Sequence, residues 1–484
     1  MGKSASDELA EKCLLPYVAI DYGLGAECSY TNHVAFFVED WRAMAGSRDS
    51  SSCRFARGPQ GMHYAWVLYE GSTTLQPPYQ YRNRWGMCLG AMRKAPRRRL
   101  SASLGNNLIG ARYYHTGCGQ GHPLDQSPDD WPWYTQPKFW ARPAPPDAYP
   151  SDAVIDEAAA AGANVFVLHQ SWMRCGGSNN WPPADYTPQN PKELKRVIDR
   201  CHARNMRVGL YMRGTEAYAL YMPYWEQFCR YDFDGLYVDW NGMFYYNMNT
   251  AHGCFRPSET HFHAYDYFRY TKMLRRRVGE NGFLIGHTGA CPTMLALAVF
   301  DGYLPGEFRE QKEHLLDSPD AHVLQGMGTC CGTLPISYTS PHDKAVAYSA
   351  GLGSCLQMER GVLWRILRAV PMERACLYNN LTENLQVVSS TNPDFHTSVY
   401  KIDRDLLLLV TANCGPPGTT TLRLDMATLG LVGRYEITEL GGKDAASFAE
   451  QPAGQTGDGF IRVPQLHQYE IRGYRLRRVA PRVR

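Results

Sequence analysis

The chain has 484 residues, of which 44 % are hydrophobic and 20 % charged, and its formal net charge is +3. These values exclude an intrinsically disordered chain, and the length predicts about two or three domains. Basic residues cluster only in Lys94–Arg99 and at the C-terminus, so we expect no nucleic-acid partner. No run of about 18 apolar residues occurs, so we expect no membrane partner.

The cysteines and the N-terminus bear on the compartment. The 15 cysteines have neither the spacing of a disulfide framework nor the spacing of metal ligands, so we expect mostly reduced thiols. The first residues lack the apolar segment of a signal peptide. We therefore expect a cytoplasmic protein, or a secreted or periplasmic one whose leader has been removed.

The N-terminal part of the chain, residues 1–145, is rich in Tyr, Trp, Gly and Pro and contains short strand-like segments such as His63–Glu70. It has no long helical period, which predicts a β-rich region, a β-sandwich with or without the first strand of the domain that follows. The proline-rich segment Ala141–Pro150 marks its end.

Residues 146–384 alternate between helical and strand-like segments. Helices are predicted over Ser151–Ala163, after the cap residue Asn190, and over Ser258–Val278. The intervening strands end in polar groups: His169, Arg213, Asp239, His287 and Glu307. Repeated strand–helix units indicate a parallel sheet, and functional groups at the carboxyl ends of several strands are typical of a (β/α)8 TIM barrel.

After residue 385 the helical period stops, and strands such as DLLLLVTA alternate with Gly/Pro turns. Residues 385–484 are therefore predicted to form an antiparallel β-sandwich. The fold class is α/β: a barrel between a β-rich N-terminal region and a C-terminal sandwich.

The strand FDGLYVDW (Phe233–Trp240) ends on the carboxylate of Asp239. A buried strand that ends on a charge at the mouth of a barrel suggests a catalytic group, here the nucleophile of a retaining glycosidase. That mechanism needs a second carboxyl as acid/base. Glu307, at the end of a later strand, is the first choice, and Asp301, at the start of that strand, is the alternative.

Other side chains after strand ends are candidates for sugar binding, because His, Asn and Arg donate to hydroxyls and aromatic rings cover the C–H face of a sugar. No HExxH metal motif and no nucleotide-binding glycine motif is present, so we expect neither a metal nor another cofactor. The substrate-binding candidates are His169, Trp172, Arg174, Tyr211, Arg213, Trp240, Asn241 and His287.

Residues 151–357 resemble the catalytic barrel of clan D glycoside hydrolases, the α-galactosidase and α-N-acetylgalactosaminidase group. The motif YVDW (Tyr237–Trp240) is similar to the strand, usually the fourth, that carries the nucleophile there. DGYLPGE (Asp301–Glu307) occupies the region of the acid/base, which in those families is normally an Asp, and a C-terminal β-sandwich is shared. If Leu108–Tyr114 is not the first barrel strand, the endo-α-N-acetylgalactosaminidase type of barrel is the closer resemblance.

The resemblance implies a retaining glycosidase that cleaves an α-linked galactose or N-acetylgalactosamine residue from an oligosaccharide or glycoconjugate. Two alternatives remain open at this point. One is an endo-acting α-N-acetylgalactosaminidase-type enzyme. The other is a carbohydrate-binding pseudo-enzyme that keeps the cleft without the chemistry.

Overall fold

The structure is a computed structural model. It describes residues 17–21, 33–38, 53–58, 61–66, 85–89, 107–116, 149–169, 172, 188, 190–213, 230–239, 244–245, 261–262, 264–287, 299–304, 333–338, 343–357, 361–378 and 387–480. Within these residues no helix is long and apolar enough to cross a membrane.

The N-terminal region is built from strands, as predicted. Of the five strands described there, three form an antiparallel sheet in the order β1-β2-β5, and the other two, β3 and β4, form a hairpin. The strands are β1 (Tyr17–Asp21), β2 (His33–Val38), β3 (Cys53–Gly58), β4 (Gly61–Trp66) and β5 (Trp85–Leu89).

Eight parallel strands close into the central barrel, which confirms the predicted fold. In barrel order they are β6 (Tyr113–His115), β7 (Val165–Leu168), β8 (Arg207–Arg213), β9 (Gly235–Asp239), β12 (Phe283–His287), β13 (Gly302–Leu304), β14 (Leu334–Tyr338) and β15 (Cys355–Gln357). A short hairpin, β10 (Phe244–Tyr245) with β11 (His261–Phe262), follows β9. The first barrel strand therefore lies inside the predicted N-terminal region, and Asp239 ends the fourth strand.

Two of the described barrel helices begin where the sequence places caps, whereas the helix predicted from Ser258 begins only at Ala264, after β11 (His261–Phe262). The Ser151 side chain accepts from the Val154 N–H, and Gly162 ends the same helix in the left-handed conformation. Asn190 accepts from two N–H groups of the next helix, which starts at Pro191. The helices are α1 (Asp152–Ala161), α2 (Pro191–Ala203), α3 (Ala264–Val278), α4 (Asp343–Leu352) and α5 (Val362–Arg368).

One aromatic ring fills the interior of the barrel near its amino-terminal end. A Cβ added to Gly235 would lie 2.5 Å from the ring of Phe283, and one added to Gly209 would lie 2.8 Å from it. The Arg207 guanidinium lies 5.3 Å from the centre of the same ring. Two glycines on neighbouring strands thus make room for one large side chain, and the lower end of the barrel is packed.

The C-terminal region is a two-sheet sandwich, as predicted. One sheet has the order β16-β18-β19-β24-β21-β22 and the other β17-β20-β23. Their bounds are β16 (Cys376–Tyr378), β17 (Val388–Ser390), β18 (Phe395–Lys401), β19 (Leu406–Asn413), β20 (Gly418–Leu424), β21 (Tyr435–Gly441), β22 (Ala449–Thr456), β23 (Phe460–Leu466) and β24 (Ile471–Arg478). A 3₁₀ turn, Met372–Arg374, precedes β16, so the sandwich takes its first strand from before residue 385.

The sandwich packs directly on the barrel. The core of the barrel continues through α5 into the larger sheet, where Leu408, Val410 and Ile471 belong to the same apolar cluster as Trp364 and Ile366. A second cluster, which includes Leu409, fills the space between the two sheets. The shared core fixes the barrel and the larger sheet as one packed unit.

Candidate active site

Asp239 is the last residue of β9, at the carboxyl end of the barrel, and the residue is 8 % exposed. Its backbone is in register with Arg213, the last residue of β8. Burying a carboxylate is costly unless both oxygens have partners. Such partners are present on the two sides of Asp239.

Tyr211 and His287 hold one carboxylate oxygen each. The Tyr211 hydroxyl donates to Oδ2 over 2.7 Å. The Nδ1 atom of His287 lies 2.5 Å from Oδ1, and because an ionised carboxylate only accepts, this nitrogen carries the proton. Tyr237 extends the network, since its hydroxyl lies 3.3 Å from the same Nδ1.

These partners decide the charge of Asp239. Burial alone raises the pKa of this carboxyl, but attraction and hydrogen bonding from His287, together with the Tyr211 hydroxyl, outweigh it and lower the pKa to about 2. Asp239 is therefore ionised throughout the neutral range. A desolvated, oriented carboxylate is what nucleophilic attack requires.

Two further histidines lie beside this network at the ends of β6 and β7. The ring of His169 is 4.3 Å from that of Tyr211 and 4.8 Å from that of His115, measured between centroids. Burial lowers the pKa of His169 to about 4, and burial together with His169 holds the pKa of His115 well below its usual value. Both imidazoles are neutral near pH 7, so each offers one donor and one acceptor nitrogen.

His115 was missed by the sequence reasoning, which ended the candidate first strand at Tyr114. Its ring is 5.1 Å from that of Tyr237, and its Nε2 is buried with no hydrogen-bond partner within the described part of the chain. A signal was present: the tripeptide His-Thr-Gly occurs at His115–Gly117 and again at His287–Gly289. The repeat marks the ends of the first and fifth strands.

Several of the residues predicted to bind sugar contact other protein groups of the site. Tyr211 and His287 contact the carboxylate of Asp239. The Trp172 side chain is 1 % exposed, and its indole N–H donates to the Tyr211 carbonyl over 2.9 Å. Trp172, which was predicted to bind substrate, is thus buried after β7, and its indole N–H fixes the backbone of Tyr211.

The structure does not bring Asp301 to Asp239. Asp301 immediately precedes β13, at the opposite end of the barrel, and its Oδ2 accepts from Arg275 over 2.5 Å and from the Leu284 N–H over 2.8 Å. The Asn107 N–H, before β6, lies 3.4 Å from Oδ1. Asp301 forms a buried ion pair that ties strand starts together, so its alternative assignment as acid/base has no geometric support.

Four of the remaining predicted residues lie outside the described part of the chain: Arg174, Trp240, Asn241 and Glu307. Arg213 is described only by its backbone, which ends β8 beside Asp239. Among the described residues, no group of three or more His, Cys, Asp or Glu side chains is arranged to hold a metal ion.

The sequence matches no protein-family model and no curated protein. Among solved structures it is similar to a variant of a glycoside hydrolase family 97 enzyme from Pseudoalteromonas sp. strain K8. The identity is 9 %, the match covers 93 % of this chain and 73 % of that chain, and the TM-score is 0.53. At this identity the similarity shows a common fold: the barrel with its C-terminal sandwich is a fold of glycoside hydrolases.

Two further solved structures are also similar, with TM-scores below 0.5. A family 27 β-L-arabinopyranosidase from Geobacillus stearothermophilus has 11 % identity, covers 71 % of this chain and 99 % of its own, and gives a TM-score of 0.43. α-Galactosidase I from Mortierella vinacea has 10 % identity, 68 % and 94 % coverage and a TM-score of 0.42. Scores this low carry no argument, so the resemblance to clan D remains a prediction from the sequence motifs.

Proposed function

We propose that the protein is a retaining glycoside hydrolase that cleaves an α-linked galactose or N-acetylgalactosamine residue without a cofactor. The observation that carries this proposal is Asp239, a buried, ionised carboxylate at the end of the fourth barrel strand, held through both oxygens. A group in this position faces the mouth of the barrel, where barrel enzymes bind substrate.

In the proposed reaction, the Asp239 carboxylate attacks the anomeric carbon and forms a glycosyl ester, which water then hydrolyses. The acid/base is assigned to Glu307 on its sequence position, three residues after β13 (Gly302–Leu304) on the sixth strand. Neutral His115 and His169, beside the carboxylate, suit uncharged sugar hydroxyls better than an anionic substrate.

The substrate class rests on two arguments of different kinds. The YVDW and DGYLPGE motifs resemble those of clan D enzymes, which favours a galactose-type sugar at Asp239. The family 97 enzyme with the same fold has been crystallised with acarbose and with panose, both oligosaccharides. Together they support an oligosaccharide or glycoconjugate as the substrate.

A panel of α- and β-linked nitrophenyl glycosides tests the proposal, with galactose, N-acetylgalactosamine and glucose as the sugars. Release of nitrophenol from the α-galactose-type members is expected, and activity only on β-linked members would refute the assignment. If the folded protein binds galactose, measured by calorimetry, but hydrolyses neither these members nor a disaccharide α-linked to nitrophenol, the type of substrate that an endo-acting enzyme cleaves, it is a carbohydrate-binding pseudo-enzyme.

The acid/base assignment has its own test. Glu307→Gln should retain activity on substrates with good leaving groups, lose it on those with sugar leaving groups, and recover with added azide, which attacks the intermediate without a general base. Asp301→Asn is the matched control and should show neither effect. If only the control shows the leaving-group dependence and azide rescue, Asp301 is the acid/base.

A further inference from the structure

Tyr211, one of the described donors to Asp239, is held in place by its neighbours. Tyr211 is 1 % exposed, its ring lies between those of His169 and Tyr237, and its carbonyl accepts from the Trp172 indole. Its hydroxyl therefore stays on Oδ2 whether Asp239 carries a full charge or has formed a bond. The energetic effect of such a donor depends on the charge of the oxygen that it contacts.

The charge of Asp239 changes twice in a retaining reaction. In the first step an Asp239 oxygen gives an electron pair to the anomeric carbon, the glycosidic C–O bond breaks, and the leaving oxygen takes the proton of the acid. In the second step water attacks the same carbon and gives its proton to the conjugate base. The ester C–O bond then breaks, and its electron pair returns to Asp239.

Asp239 is thus the nucleophile in the first step and the leaving group in the second. A hydrogen-bond donor stabilises the carboxylate more than the neutral ester. It therefore lowers the reactivity of the nucleophile and assists its departure.

We propose that Tyr211 is a positioning residue that accelerates hydrolysis of the glycosyl–Asp239 intermediate, at the cost of a slower or unchanged first step. The proposal rests on the proposed function, and it adds that Tyr211 assists the second of the two chemical steps and not the first. It also replaces the sequence-based prediction that Tyr211 binds the sugar directly.

The test follows the intermediate itself. The full-length protein is treated with 5-fluoro-α-D-galactosyl fluoride, and intact-mass spectrometry measures how fast the adduct forms and decays. In Tyr211→Phe the adduct should form as fast as in the wild type or faster, and decay about 10- to 100-fold more slowly, the effect of losing a hydrogen bond to a charged group. On nitrophenyl substrates kcat and KM should fall together.

Tyr237→Phe is the matched control. It removes the same atom from a neighbouring ring, stacked on Tyr211 with centroids 5.9 Å apart, whose hydroxyl lies near His287 Nδ1. The adduct should live longer in Tyr211→Phe than in this control. The Tyr211 hydroxyl is one of the groups that lower the pKa of Asp239. In Tyr211→Phe the acid limb of the pH profile of kcat/KM should therefore move to higher pH.

The outcomes separate this inference from the proposed function. An adduct whose decay is unchanged in Tyr211→Phe, or whose formation and decay slow equally, refutes the inference alone. Absence of any adduct on the folded wild type refutes the proposed function and this inference with it. If Tyr211→Phe does not fold, fluorotyrosine at position 211 is the second variant: its more acidic hydroxyl should shorten the lifetime of the adduct, and an unchanged lifetime refutes the inference.

Discussion

Two buried carboxylates lie at opposite ends of the same barrel and have opposite surroundings. Asp239, at the carboxyl end, is held by a phenol and an imidazole, and its pKa is lowered to about 2. Asp301, at the amino end, is 1 % exposed, and burial raises its pKa despite the ion pair with Arg275 and two backbone N–H groups.

The difference shows what each end of the barrel provides. Among the described residues, the partners of Asp239 come from two other strand ends: the Tyr211 hydroxyl and the His287 imidazole orient its carboxylate. Arg275 neutralises Asp301 and belongs to α3, so that pair ties a helix to the strands. A carboxylate near a barrel strand is therefore a site residue or a structural one according to which end it occupies.

Asp239→Asn gives the largest expected effect. Removing the nucleophile should lower kcat by about a thousandfold or more, while the free energy of unfolding falls by about 2 kcal/mol, the stabilisation implied by lowering the pKa of Asp239 from 3.8 to about 2. Steady-state kinetics on the best nitrophenyl glycoside and urea unfolding measure the two quantities. Residual activity above about a hundredth of the wild type would remove Asp239 from the mechanism.

Asp301→Asn should show the opposite pattern. Breaking its ion pair leaves Arg275 without its charge partner, and we expect a loss of about 3 kcal/mol in unfolding free energy. This is at the low end for a buried pair, because a quarter of the Arg275 side chain is exposed. The kcat of the folded variant should stay near the wild-type value, and a large kcat loss at unchanged stability would reverse the contrast between the two ends.

Acid should destabilise the carboxyl end through its histidines. The pKa of His169 is about 4 in the folded protein against 6.5 for the free side chain, so the unfolded chain binds the proton first as the pH falls. The contribution of neutral His169 to the free energy of unfolding is therefore complete above about pH 6.5. It is lost as the pH falls through about 4, and the loss is about 3 kcal/mol.

Urea unfolding at a series of pH values checks this loss, with His169→Asn as the comparison. The variant should show a shallower decline between neutral pH and pH 4.5 or so. Equal slopes for the two proteins would show that His169 titrates normally in the folded state.

His115→Phe should have the smallest effect, and a stabilising one. Its Nε2 is buried without a hydrogen-bond partner among the described residues, which costs free energy that an apolar ring avoids. We expect a gain of about 1 kcal/mol in unfolding free energy, measured by urea titration at pH 7. A loss of about 1 kcal/mol in unfolding free energy would instead mean that the His115 imidazole makes a stabilising hydrogen bond in the folded protein.

The fold was predictable because each element carries its own signal. The predicted cap Asn190 and the predicted first helical residue Pro191 do begin a helix in the structure. The apolar run before Asp239 forms strand β9, as predicted. Asp239 was predictable for the same reason, since a charge at the end of an apolar run is visible locally. The first barrel strand was harder, because Tyr113–His115 is only three residues long.

The partners within the site were not predictable in the same way. That Tyr211 and His287 hold Asp239, and that Trp172 supports Tyr211, depends on how four strands twist around the barrel axis. Sequence position gives the end of the barrel at which a residue lies, and it does not give which neighbour its side chain contacts. Asp301 illustrates the limit: an uncertainty of a few residues in a strand start decides between opposite ends.

The Phe283 ring, seated against Gly209 and Gly235, has a kinetic consequence. The ring occupies the barrel beneath the site, so among the described residues it is the carboxyl end, where Asp239 lies, that a ligand can enter and leave. The released sugar must leave by the route that the next substrate takes to enter. Because the released sugar and the next substrate then bind in the same place, free galactose should inhibit competitively, raising the apparent KM at constant kcat. A noncompetitive pattern would mean that galactose also binds outside that place.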